Sequence, residues 1–155
     1  MRVKIPLPDL KATEALAATI APILKPKDAI ALSGDLGTGK TTFARALLRT
    51  LGVKDDIPSP TFTLVQTYDI GKLSVSHFDL YRLKSSSELD ELGLDDARAD
   101  GIVLVEWPER AEGNLPKNRL TLNFSIANDG SRSCLLEGED AWLTRLPDLK
   151  KASLP

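Results

Sequence analysis

The chain has 155 residues, 42% of them hydrophobic and 27% charged, with a formal net charge of −2. This composition excludes a disordered tail, a collagen and a coiled coil, and the length fits one domain. The slight negative charge gives no support to autonomous nucleic-acid binding, which usually rests on a basic patch or stripe. In chain order, residues 3–7 read as a short strand closed by Pro6 and Pro8. Residues 12–24 set Leu16, Ile20, Ile23 and Leu24 on one helical face, with Pro22 expected to kink or shorten the helix near its end. Residues 28–33 form an apolar strand that runs straight into glycines. A helix follows over 41–51, with Phe43, Leu47, Leu48 and Leu51 on one side and Gly52 as its stop. Pro58 and Pro60 stiffen the loop that carries Ser59 and Thr61.

Strands over 63–68 and 73–80, joined by a turn at 69–72 that contains Gly71, predict an antiparallel hairpin. Residues 85–94 predict a helix with Leu89 and Leu92 turned inward. The apolar run 102–105, ending at Glu106, has the form of a fully buried parallel strand. Strands over 119–126 and 133–137 flank the turn signal Asn128-Asp129-Gly130. A short helix over 140–146 closes the domain, which spans 1–146, and 147–155 are expected to form a loose tail. Strands alternating with helices early, followed by hairpins, predict a single-domain α/β fold with a mixed sheet flanked by helices.

One cysteine, Cys134, excludes an intrachain disulfide and a cysteine zinc cage, and reads as a small buried hydrophobe. One histidine, His77, excludes any site that needs two imidazoles. The longest apolar runs, such as 29–32 and 102–105, are four residues long. A membrane span needs about 20. The first residues lack the apolar stretch of about 7–15 residues of a secretory signal. The expectation is a cytoplasmic protein without a membrane segment.

Three glycines fall within six residues, in Gly34-Asp35-Leu36-Gly37-Thr38-Gly39-Lys40-Thr41. This fits G-x-x-x-x-G-K-[ST], the Walker A phosphate loop. Its glycines let the backbone turn tightly and aim N–H groups at phosphate oxygens. The helix that follows presents its positive end to the same anion. Lys40 is placed to reach the β- and γ-phosphates, and the Thr41 hydroxyl to ligate magnesium. The motif lies between a predicted strand and a predicted helix, as its mechanism requires. Asp35 is unusual in a phosphate cradle, and its carboxylate is expected to point away from the anion.

Such a loop needs carboxylates near Thr41 to hold magnesium or orient water. Asp79 and Glu106 each end a predicted strand, at the edge where open α/β sheets bind ligands. Either acid alone would read as a surface or capping charge; beside a phosphate loop both become site candidates. His77 shares a strand face with Asp79 and has two readings, a contact to phosphate or a partner, and a hydrogen-bonded structural residue. Tyr81, Arg82 and Trp107 read as surface or packing residues, and Arg82 beside a nucleotide site has two further readings, a phosphate clamp and a partner contact. Thr61 lies where P-loop switch proteins keep a threonine that senses γ-phosphate. Without the other motifs its segment would read as a Pro-rich connector.

Four segments appear in one order: G-D-L-G-T-G-K-T-T at 34–42, S-P-T-F-T at 59–63, H-F-D-L-Y-R at 77–82 and V-E-W-P-E at 105–109. Together they resemble the TsaE family, also called YjeE, the small bacterial ATPases of tRNA threonylcarbamoyladenosine biosynthesis. The resemblance runs from about Ile5 to Arg132. It implies a P-loop NTPase-like fold, binding of ATP and magnesium, and slow hydrolysis by the isolated chain. It implies TsaB-like and TsaD-like partners whose complex the ATPase resets between turnovers, with tRNA met only indirectly through that complex. The isolated chain is expected to be a monomer.

Carried over by position, Leu36, Gly37, Thr38, Gly39, Lys40, Thr41 and Thr42 form the nucleotide site. Thr41 and Glu106 match the magnesium side, and Asp79 the acid near the phosphates. Glu109, after Trp107-Pro108, matches a further nucleotide-site position. Arg132 follows Gly130-Ser131 in a turn that resembles a late Gly-Arg turn near nucleotide, with Ser131 as an interruption. Thr38 stands where alanine is more usual in the family. The adenine side is implied to draw on residues 9–13. The expected reaction is attack of water on the γ-phosphate of Mg·ATP, with Lys40, Asp79, Glu106 and Thr61 as its catalytic residues.

Three other readings stand beside this one. A small-metabolite kinase shares the loop and the size, but Arg110 and Arg119 are too isolated to mark an arginine-bearing lid. A GTP switch lacks its N-K-x-D segment here. A non-catalytic scaffold locked by nucleotide fits Trp107 and Tyr81 as interface residues.

Overall fold

The structure is a computed structural model and describes residues 1–111 and 113–146. Among the described residues, seven strands form one sheet: β1 (Arg2–Pro6), β2 (Ala29–Ser33), β3 (Val65–Ile70), β4 (Leu73–Asp79), β5 (Ile102–Glu106), β6 (Leu120–Ile126) and β7 (Arg132–Glu137). Their order across the sheet is β1-β7-β6-β2-β5-β4-β3. The four middle strands β6, β2, β5 and β4 run parallel, and β3, β7 and β1 join antiparallel at the sides. The expected α/β fold with a mixed sheet flanked by helices is therefore present.

Among the described residues, five helices flank the sheet: α1 (Leu10–Ile20), α2 (Lys40–Leu51), α3 (Ser86–Glu91), α4 (Leu94–Asp100) and α5 (Asp140–Arg145). One core joins Leu16 and Ile20 of α1, Phe43 and Leu47 of α2 and Trp142 of α5 to Ile30, Leu32, Leu104 and Leu122 of the sheet. A second core sets Leu89 and Leu94 against Phe78, Val103 and Val105. Strand β5 is buried at every residue because both of its faces are covered. Cys134 lies in the first core, and burial pushes its thiol up to about 12.

Several boundaries differ from the sequence reading. Helix α1 starts at Leu10, where the Asp9 carboxylate accepts from the Ala12 N–H at 2.9 Å. It ends at Ile20, so the helix expected over 12–24 is shortened rather than kinked, with Pro22 in a 3-10 turn (Ala21–Ile23). The helix expected over 85–94 ends at Glu91, and a second helix that the sequence reading lacks follows over Leu94–Asp100, set off by Gly93 with φ +74°. Strand β3 starts two residues late, since the Leu64 N–H closes a turn onto the Pro60 carbonyl at 2.7 Å. The hairpin turn is confined to Gly71 and Lys72. The tail expected over 147–155 lies outside the described residues. Among the described residues, no helix is long and apolar enough to cross a membrane.

Candidate functional site

Strand β2 ends at Ser33, and residues 34–39 carry the chain over to α2. Gly34 is required there: its φ is +134°, and a Cβ would sit 2.4 Å from the Phe124 carbonyl oxygen. The loop is held by side chains of its own and of β7. The Thr38 hydroxyl donates to the Asp35 carbonyl at 2.7 Å, and the Arg132 guanidinium donates to the Gly37 carbonyl at 3.1 Å. Asp35 is exposed, so its carboxylate stays outside the cradle as expected.

Lys40 opens α2 and is almost fully buried. Its ammonium donates to the carbonyls of Gly34 and Asp35 and lies 3.7 Å from the ring centroid of Trp107. Burial lowers its pKa, and the carboxylates of Glu106, Glu109, Asp79 and Asp35, in that order, oppose the shift. Trp107 reaches the lysine from a backbone with φ +59°, directly after β5, and its ring lies 4.9 Å from that of Tyr81.

The opposite wall is made by strand ends. Parallel pairing of β4 with β5 puts Asp79 level with Glu106. Glu106 accepts from the Thr41 hydroxyl at 2.9 Å through Oε1 and 3.2 Å through Oε2. His77 Nε2 lies 2.6 Å from Glu106 Oε2. Asp79 accepts from the Thr61 hydroxyl at 3.2 Å and from the Tyr81 N–H at 3.1 Å. Thr61 gives its only hydroxyl proton to Asp79, so Ser59, 2.7 Å away, donates to Thr61.

Between the walls lies a cleft of about 390 Å³. It is lined by Leu36, Gly37, Gly39, Lys40, Thr41, Thr42, Thr61, Asp79, Tyr81, Glu106, Trp107 and Arg132. The fold thus brings together ten of the twelve residues singled out in the sequence. Thr38 lines an adjoining cavity of about 210 Å³ instead, with Leu7, Asp9, Leu10, Thr13 and Phe124. That cavity shares Gly39, Thr42 and Arg132 with the main cleft, so the segment 9–13 does border the site. Glu109 is exposed in a 3-10 turn (Pro108–Ala111) and lines a separate hollow with Arg119. A larger groove of about 670 Å³ runs between α1 and α2 but includes neither strand-end acid.

Sequence reasoning left three contributors open. Ser59 supports Thr61, Trp107 faces Lys40, and His77 binds Glu106. Only the position of Trp107, directly after the strand-end acid, signalled its role. The other contacts depend on how distant segments are brought together.

Comparison with known proteins agrees with this geometry. The family model described as threonylcarbamoyl adenosine biosynthesis protein TsaE matches residues 7–134. A protein from Rickettsia bellii named tRNA threonylcarbamoyladenosine biosynthesis protein TsaE is 40% identical over 128 residues, which covers 82% of this chain and 89% of its own. Its namesake from Bacillus subtilis is 41% identical over 121 residues, covering 77% and 75%. The crystal structure of Bacillus subtilis YdiB superposes with a TM-score of 0.81 at 29% identity, over 99% of this chain and 97% of the other. With a family match that runs from the end of the first strand into the last, the chain belongs to the TsaE family of threonylcarbamoyl adenosine biosynthesis proteins.

Proposed function

We propose that this chain is a magnesium-dependent ATPase that serves tRNA threonylcarbamoyladenosine biosynthesis by acting on a complex of TsaB-like and TsaD-like proteins. Its setting would be cytoplasmic, and its contact with tRNA indirect. One observation carries the chemical part: Lys40 and Thr41 at the start of α2 face two buried carboxylates, Asp79 and Glu106, across one cleft. The donor set suits magnesium, which takes hard oxygen ligands and is usually held by one or two carboxylates together with substrate phosphates. Here those oxygens are the Thr41 hydroxyl and the Glu106 carboxylate, already 2.9 Å apart. Magnesium, when bound, would neutralise charge on the β- and γ-phosphate oxygens.

The residues of the chain would act as follows. Lys40 leaves the carbonyls of Gly34 and Asp35 and donates to the phosphates, so its charge meets the negative charge that develops in the transition state. The N–H groups of the loop and of the first turn of α2 hold the remaining phosphate oxygens. Thr61 gives up its bond to Asp79 when a γ-phosphate takes its hydroxyl. That exchange frees Asp79 Oδ2 to orient the attacking water. The acceptor that the Thr61 hydroxyl binds therefore reports whether γ-phosphate is present.

Partner dependence rests on what the cleft contains. Among the described residues, Arg132 is the only arginine that lines it, and its guanidinium is bound to Gly37. Phosphoryl transfer depends on positioning and charge, so a site short of one cation should turn over slowly alone. Inorganic phosphate release would be measured for the isolated chain, and again with TsaB-like and TsaD-like proteins added. Stimulation by the partners is expected. Equal rates would remove the partner from the reading, and no release in either case would remove the ATPase.

A further inference from the structure

His77 is the only histidine of the chain and is fully buried on β4. Its Nε2 lies 2.6 Å from Glu106 Oε2, and a carboxylate accepts, so Nε2 carries a proton and donates. Its other nitrogen, Nδ1, has no hydrogen-bond partner among the described residues. A buried polar atom left without a partner costs stability, and an apolar residue of similar volume would avoid that cost. Packing therefore does not account for an imidazole here. Its one side-chain bond does, because that bond ends on the carboxylate that meets Thr41.

Glu106 is gripped from two sides. Thr41 donates from α2 and His77 from β4, so the carboxylate plane is set by two elements that share no sequence proximity. The Thr41 oxygen keeps its lone pairs for an ion while its proton rests on Glu106. If the carboxylate rotated, that proton would lose its acceptor and the hydroxyl would turn.

We propose that His77 is a positioning residue for the magnesium side of the cleft, acting through Glu106 on the Thr41 hydroxyl. It does not touch nucleotide or metal. This inference rests on the magnesium-dependent nucleotide site proposed above, and it adds the group that fixes the site's carboxylate. Partners of this kind around a metal ligand change affinity or activity about 10–100-fold when removed.

The test uses the full chain and a non-hydrolysable ATP analogue, with binding followed by calorimetry at graded magnesium. His77→Leu keeps the volume and removes the donor. It should require roughly 10–100-fold more magnesium for half-maximal binding, while analogue affinity in EDTA stays near the wild-type value. His77→Gln, whose amide N–H can reach Glu106, should recover most of that loss. A His77→Leu protein with wild-type magnesium dependence would overturn the inference, as would His77→Gln impaired to the same degree. If His77→Leu does not fold, His77→Asn replaces it, since its shorter amide withdraws the donor from Glu106. Equal magnesium dependence in the Asn and Gln variants then overturns the inference. A wild-type chain that binds the analogue without regard to magnesium would overturn both this inference and the function it rests on.

Discussion

Leu36 on the phosphate loop is 68% exposed, whereas Glu106 across the cleft is 2% exposed. The two walls are built in opposite ways. The loop wall is one run of sequence, residues 34–42, whose proposed task falls mainly to backbone N–H groups, and Asp35, Leu36 and Thr42 on it face water. The acid wall takes Thr61, His77, Asp79 and Glu106 from three separate segments and works through side chains locked by hydrogen bonds. Substitutions on the loop wall should therefore act mainly through backbone shape, with Lys40 and Thr41 as the exceptions. Substitutions on the acid wall should act on chemistry while the fold survives.

The largest expected effect lies at Lys40. Lys40→Ala removes the loop cation that the proposed mechanism sets against charge developing during phosphoryl transfer, and phosphate release should fall by about 10³-fold. Unchanged turnover and nucleotide affinity would remove the loop from the site. On the acid wall, Asp79→Asn keeps the shape and the contact to Thr61 but loses the negative charge to which the proposed mechanism gives the orienting of water. Turnover should fall by about 10²-fold with an unfolding midpoint close to wild type. A variant with normal hydrolysis would leave that role to Glu106.

Smaller effects separate backbone from side chain on the loop wall. Gly34→Ala forces a Cβ into the Phe124 carbonyl at a positive φ, and thermal unfolding should record a loss of roughly 1–3 kcal/mol. Thr38→Ala removes a methyl group and the hydroxyl bound to the Asp35 carbonyl, and should cost about 1 kcal/mol with turnover little changed. A larger catalytic loss at Thr38 than at Asp79 would reverse the contrast between the walls.

The same contrast explains what could be read in the sequence. The loop wall was legible because its residues are contiguous and its task fixes their types. The strand ends were legible because β5 is an apolar run with one acid at its end. The bond between His77 and Glu106 was not, since it spans 29 positions and exists only because β4 lies parallel beside β5. The resemblance puts Glu109 at the nucleotide site and the sequence leaves Trp107 open, but the chain turns at Trp107 with φ +59°, the indole faces Lys40 and Glu109 is exposed. Helix α4 escaped notice for a related reason. Its charged residues Asp95, Asp96, Arg98 and Asp100 mask the two positions, Leu94 and Ala97, that pack inward beyond the break at Gly93.

The central claim is that the buried carboxylates opposite the phosphate loop do chemistry on a bound nucleotide rather than hold the sheet together. It is tested most directly by comparing wild type with Glu106→Gln for ATP-analogue affinity and for single-turnover phosphate release at saturating magnesium. Binding within a few-fold of wild type, together with release slowed by about 10²-fold or more, is the expected result. Equal release rates in the two proteins, with both folded, would contradict the claim.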